Sequence, residues 1–155
     1  QTRARRTQRA GQQWAGRIAD SHGEVGAGSN GTDAAEVGDR LDRGAVLVTE
    51  VFGRMGFDPE LAAESEPSAS LSADREQVLG RERVIRLHAC PVRDLARTHP
   101  EVGCALHLGL LQGLLDRAAA GGHPDHEDTA LSARLEPFVE PELCIARIAA
   151  SRRST

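Results

Sequence analysis

Residues 82–120 read ERVIRLHACPVRDLARTHPEVGCALHLGLLQGLLDRAAA, and their reading decides the fold. Glu82 to His88 carries Val84, Ile85 and Leu87 between charged residues, the pattern of a short strand with one face only partly covered. Pro91 opens a short helix, because a proline N–H is not missed in a first turn. Val92, Leu95 and Ala96 are its inward positions. Pro100 and Glu101 start a second helix in the same way. From Cys104, Leu108, Leu111 and Leu115 make a stripe that Leu106, Leu110 and Leu114 widen, so this helix is buried over most of its surface. Gly109 and Gly113 lie four apart and permit a close approach by another element. A cysteine stands at each junction, Cys90 beside the first helix start and Cys104 within a turn or so of the second.

Downstream, residues 132–138 (SARLEPF) and 142–149 (ELCIARIA) read as two short strands joined by a turn at Val139-Glu140-Pro141. The third cysteine, Cys144, lies on the second of them. Upstream, Leu41, Ala45, Val48, Phe52 and Met55 form one stripe of a helix over Gly38–Gly56, with Gly56 as its stop. Ala10, Trp14 and Ile18 recur at helical spacing, which predicts a helix from Thr7 to Ala19 with Trp14 as its packing anchor. Residues 59–65 (PELAAES) suggest a strand, and 65–77 an insertion rich in turn formers. The expected fold class is α+β, a small antiparallel sheet of three or four strands with helices packed on one face. The expected organisation is a helix and flexible linker over 1–37, a sensor domain over 38–149 and a disordered tail at 150–155.

The 155 residues suit one domain with loose ends, and an apolar fraction of 39% agrees. All 19 cations are arginine, yet the net charge is −4, which argues against a nucleic-acid surface over the whole chain. Arg3, Arg5, Arg6 and Arg9 could touch phosphate, but read first as a solvated helix face. No apolar run is long enough to span a bilayer, so no membrane partner is expected. The start at Gln1 is neither a signal peptide nor a Met start and suggests an excised chain. An odd cysteine count without a secretion signal reads as reduced thiols in the cytoplasm.

Cys90, Cys104 and Cys144 carry the functional question. A helix N-terminus favours negative charge, so Cys90 and Cys104 are expected to have depressed thiol pKa values suited to metal ligation or redox chemistry. The spacing, C-x13-C then C-x39-C, lacks the short pairs of a zinc ribbon and equally allows three core cysteines. His107, three residues after Cys104, and His88, two before Cys90, could complete a site. His123 and His126 sit in a loop and His22 in the linker, where solvation explains them. There is no Gly-rich phosphate loop, G-x-S-x-G or H-E-x-x-H, and a Cys–His pair (Cys104–His107 or Cys90–His99) has no orienting third group, so the chain reads as a non-enzyme.

Cys90-Pro91, Leu95-Ala96, His99-Pro100-Glu101, Cys104, Leu135-Glu136-Pro137 and Cys144, in this order, resemble the C-terminal effector half of ArsR/DeoR-type winged-helix transcription regulators, similar to the SufR repressors of iron–sulfur cluster assembly. RAGQQWAGRI at 9–18 is similar to the helix that opens this half. The resemblance implies an iron–sulfur cluster held by Cys90, Cys104 and Cys144, whose state controls DNA affinity. It also implies a homodimer, and DNA contact through a winged-helix domain that this chain does not contain. Two alternatives stay open: a small-molecule effector domain of the same type with structural cysteines, and a thiol redox switch. Strand parity separates them in part. Cys144 shares a strand face with Ala146 and Ile148, while Leu143 and Ile145 face the other way, so a shared site requires the Cys144 set to face the helices.

Overall fold

A computed structural model describes residues 2–20, 33–62, 82–120 and 129–152. In chain order the elements are α1 (Arg3–Asp20), α2 (Asp33–Arg54), β1 (Pro59–Leu61), β2 (Glu82–Leu87), α3 (Arg93–Thr98), α4 (Pro100–Ala120), β3 (Thr129–Glu140) and β4 (Leu143–Arg152). The four strands form one antiparallel sheet in the order β1-β2-β4-β3, with helices packed against it. This is the expected α+β class.

Strand parity gives the sheet two unlike faces. Ile85 and Leu87 of β2, Ala146 and Ile148 of β4, and Leu131 of β3 are buried with the helices. On the opposite face, Arg147 of β4 pairs with Glu82 of β2 and Glu136 of β3, each at 2.9 Å, across three strands. Among the described residues the apolar core lies on the helix side of the sheet. Leu41, Ala45, Val48 and Phe52 of α2 and Leu110, Leu111, Leu114 and Leu115 of α4 complete the core, and none of them is exposed. The predicted stripes of both helices therefore hold.

β3 is a sheet edge, and α4 covers part of it. The Gln112 side chain donates to the Leu131 carbonyl at 2.9 Å and accepts from the Ala133 N–H at 3.0 Å. One amide thus satisfies two backbone groups that an edge strand would leave open.

α1 lies on the far side of α4. A Cβ placed on Gly109 would stand 1.9 Å from the Gln8 carbonyl oxygen, and one on Gly113 would stand 2.5 Å from the Ala15 Cβ. Glycine at both positions is what lets the helices approach this closely. The buried face of α1 runs through Gly11 and Ala15 rather than Trp14, which is 43% exposed. The expected tryptophan anchor is thus corrected. A seam of small residues permits tighter contact than a large ring would.

Several boundaries also move. α2 begins at Asp33, inside the expected linker, and β4 continues through Ala150 to Arg152, inside the expected tail. Both extensions add backbone hydrogen bonds to an element already anchored by its apolar face. The expected insertion at 65–77 and His22, His123 and His126 lie outside the described residues.

Candidate functional site

The site is built by the turn that ends α2. Gly56 takes a φ of 90°, the Phe57 N–H donates to the Phe52 carbonyl at 3.0 Å, and the Gly56 N–H donates to Gly53 at 3.2 Å. These are the two bonds of a Schellman motif. Its usual apolar contact is present as the Phe52 and Phe57 rings, 4.7 Å apart. Phe57, fixed in this way, meets His107 of α4 edge-on, with centroids 4.6 Å apart and planes at 89°.

Beyond this pair opens an apolar crevice, bordered among others by Phe57, Leu87, Ala96 and His107 and by all three cysteines. Each cysteine comes from a different element. Cys90 follows β2, where the chain leaves the sheet; Cys104 lies one turn into α4; Cys144 lies opposite Leu87 at the start of β4. Because Ala146 and Ile148 face the helices, so does Cys144, and the strand-parity condition is met. All three thiols are free and half-buried.

The inner crevice leaves about 10 Å³ for the centre of a water-sized sphere, room for a single water. Toward solvent it widens to a mouth of about 230 Å³, bordered by Cys90, Cys144, Ala89, Phe138, Arg93 and Glu142, with His88 at its rim. Cys90 and Cys144 border both spaces.

α3 and the β3–β4 hairpin close over the mouth. Arg93 pairs with Glu142. Arg97 donates to the Pro141 carbonyl at 2.5 Å and lies over the Phe138 ring at 5.5 Å. α3 also sits tightly on α4, since a Cβ on Gly103 would stand 2.9 Å from the Ala96 Cα.

The hairpin carries an irregularity between Glu136 and Glu140, and within it Phe138 takes a φ of 51°. A left-handed phenylalanine is uncommon and persists only where its surroundings demand it. Here it aims the Phe138 N–H at the Cys144 sulfur, at 3.5 Å. The Val92 N–H serves Cys90 in the same manner. Two of the three sulfurs thus receive a backbone donor, the kind of bond that stabilises a thiolate.

The electrostatics correct the expectation of depressed thiol pKa values. Burial pushes the Cys90 thiol up, against the Val92 N–H that favours its anion. Burial also pushes the Cys104 thiol up, and the nearby Cys144 and Cys90 sulfurs add to the rise. α3 starts at Arg93 with Val92 as its N-cap, so Cys90 lies outside the first turn. Cys104 is already the fifth residue of α4. The helix-end field falls off within a turn, and desolvation wins.

Compared with protein-family models and with curated proteins, the chain matches none. Among the described residues, no helix is long and apolar enough to cross a membrane.

The two histidines near the cysteines separate. His88 extends toward the charged outer side, where its Nε2 lies 2.6 Å from the Glu60 carboxylate. His107 lies inside, 7% exposed, and burial lowers its pKa to about 4. Sequence spacing named both His107 and His88 without choosing between them, and it assigned no part in the site to Phe138 or Phe57. The run Gly56-Phe57 after an apolar helix was the signal for the Schellman turn and hence for Phe57. Nothing in Leu135-Glu136-Pro137-Phe138 announced a left-handed phenylalanine.

Proposed function

We propose that this chain is the sensory half of a winged-helix transcription regulator, and that Cys90, Cys104 and Cys144 hold an iron–sulfur cluster whose presence sets DNA affinity. The observation that carries the reading is the convergence of three thiols, from three separate elements, on one crevice. Contact with DNA would be made by a winged-helix domain outside these residues, and the working unit would be a homodimer.

The donor set suits a cluster. Thiolates are the usual cluster ligands, and bonds from backbone N–H groups to the sulfurs are among the features that tune one. Among the described residues, no three of His, Cys, Asp and Glu stand close enough to cage a single metal ion. Cys90 and Cys144 at the mouth and Cys104 deeper in would be the ligands of the cluster, and the cluster would supply a redox-sensitive charge. The chain's own part is to hold three sulfurs in apolar walls that restrain water, and to release their protons on loading. Raised thiol pKa values make that release costly at low pH, so uptake improves as pH rises.

A second reading is favoured by the apolar lining: a small molecule occupies the crevice and the cysteines are only structural. Anaerobic incubation with ferrous iron and sulfide, followed by visible absorbance and iron and sulfide analysis, decides between them. Bound iron and sulfide, lost on Cys144→Ser, support the cluster. A colourless, iron-free protein with all three thiols titratable supports the second reading.

A further inference from the structure

We propose that the outward face of α1 docks on the phosphate backbone of duplex DNA and adds sequence-independent affinity; the choice of DNA among polyanions rests on the regulator reading above.

The chain separates its charge. Five of its 19 arginines, Arg3, Arg5, Arg6, Arg9 and Arg17, fall within Arg3–Arg17, and none of its 23 acidic residues does. A net charge of −4 thus coexists with one strongly basic helix. All five of these arginines are exposed.

The packing of α1 decides which way they point. Gly11 and Ala15 are buried against α4, and Gly109 and Gly113 bring the two backbones into contact there. Arg6, Arg9, Gln13 and Arg17 recur at three and four residues, so they share the side away from that seam. Successive members stand about 4.5–6 Å apart along the axis, a spacing of the same order as that of phosphates along a strand. Arg117 of α4 donates to the Gly16 carbonyl at 3.0 Å and ties down the last turns of α1. The arginines therefore form a fixed row, and docking orders little that is not already ordered.

The guanidinium fork matches phosphate oxygens, and phosphate contacts position a protein without reading bases. A bilayer surface fits less well. Helices that lie on membranes bury a broad apolar face, and α1 spends its small apolar residues on α4, leaving Trp14 as its exposed large apolar side chain.

The test is fluorescence anisotropy of the full chain, with reductant and chelator present, against two labelled duplexes of unrelated sequence. Single-stranded RNA and phosphatidylserine vesicles are the competing ligands. The variants are Arg6→Gln/Arg9→Gln/Arg17→Gln and, as a control for net charge, the exposed strand pair Arg86→Gln/Arg134→Gln. With about four phosphates met, wild-type affinity should be equal for both duplexes and fall about 100-fold from about 50 to about 200 mM salt. The triple variant should lose about 0.9 of the logarithmic salt slope per arginine removed, and the control should keep the wild-type slope. Circular dichroism checks folding; should the triple variant unfold, Arg6→Gln alone should lower the slope by about 0.9.

Absent duplex binding, equal losses in the triple variant and the control, or preference for RNA or vesicles each overturns the docking face. Such a result leaves the cluster reading standing if the chain still takes up iron and sulfide. Duplex binding that depends on α1 in a chain that takes up neither supports the docking face and overturns the cluster alone.

Discussion

Acidification from pH 7 to pH 5 should destabilise the fold through His107, and a His107→Gln variant should escape most of that loss. Burial against Phe57 lowers the His107 pKa from 6.5 to about 4. Above pH 6.5 the imidazole is neutral in both the folded and the unfolded chain, and the full stability is present. As pH falls below 6.5 the unfolded chain takes up a proton that the folded chain refuses, so stability declines until pH reaches about 4. The whole gap is worth about 3 kcal/mol, and about 2 kcal/mol of it falls between pH 7 and pH 5. Urea unfolding followed by far-ultraviolet circular dichroism measures it, with reductant and chelator present. The difference in unfolding free energy between pH 7 and pH 5 should be about 2 kcal/mol larger in the wild type than in His107→Gln. Equal pH slopes in the two proteins would refute the placement of a neutral imidazole in the crevice wall.

Other perturbations reach other parts of the molecule. Gly109→Ala drives a methyl group into the Gln8 carbonyl and should lower stability by about 1–3 kcal/mol, outweighing a helix-propensity gain of about 1 kcal/mol; a unchanged urea midpoint would contradict the seam between α1 and α4. Gln112→Ala removes both side-chain bonds to the β3 backbone and should cost about 1–3 kcal/mol, with faster hydrogen exchange at the Ala133 amide as its local sign. Cys90 and Cys104 should alkylate with iodoacetamide more slowly at neutral pH than in the urea-unfolded chain, because burial keeps them protonated; faster reaction in the folded chain would restore the idea of helix-activated thiolates. Arg93→Ala breaks an exposed ion pair and should change stability by less than about 1 kcal/mol, while opening the mouth to faster alkylation of Cys90.

Local signals announced the elements well. The apolar stripes of α2 and α4, the glycine stop at Gly56 and the paired strands at the C-terminus all follow from short-range periodicity, and each stands in the structure. Parity grouped Cys144 with Ala146 and Ile148, since a strand's alternation is fixed by its own backbone, but which set faces the helices came from the packing of the sheet. What failed depended on contacts distant in sequence. Trp14 looked like an anchor because large rings usually pack, but the α1 seam is made by glycines of α4 about a hundred positions away. The thiol pKa values went up rather than down because desolvation depends on Phe57, Leu87 and Ala96 closing around them, and no local motif encodes that. His88 and His107 were equivalent by spacing. A strand's outer face removed one and a helix's inner face kept the other.

α4 joins the crevice to α1. Cys104 and His107 stand on its early turns, and Gly109 and Gly113 follow them on the same rigid rod. A ligand that draws Cys104 toward Cys90 and Cys144 must move α4 against the sheet or move the sheet and α3 against α4. The apolar core resists the first, because Leu110, Leu111, Leu114 and Leu115 are fully buried and densely packed. The packing of Ala96 on Gly103 and the Arg97 contacts to Pro141 and Phe138 resist the second, and only the exposed Arg93–Glu142 pair adds little. Under the proposed function, loading would act on the hairpin tip, whose ion pair is exposed, while the backbone contact at the glycine seam leaves α1 little freedom to move apart from α4. For a sensor, this places the compliant part at the mouth, where exposed Val92, Leu95 and Val139 already lie on α3's approach and the hairpin. A change in what the cysteines hold would be read there, at the surface shared by α3 and the hairpin, before it is read at α1.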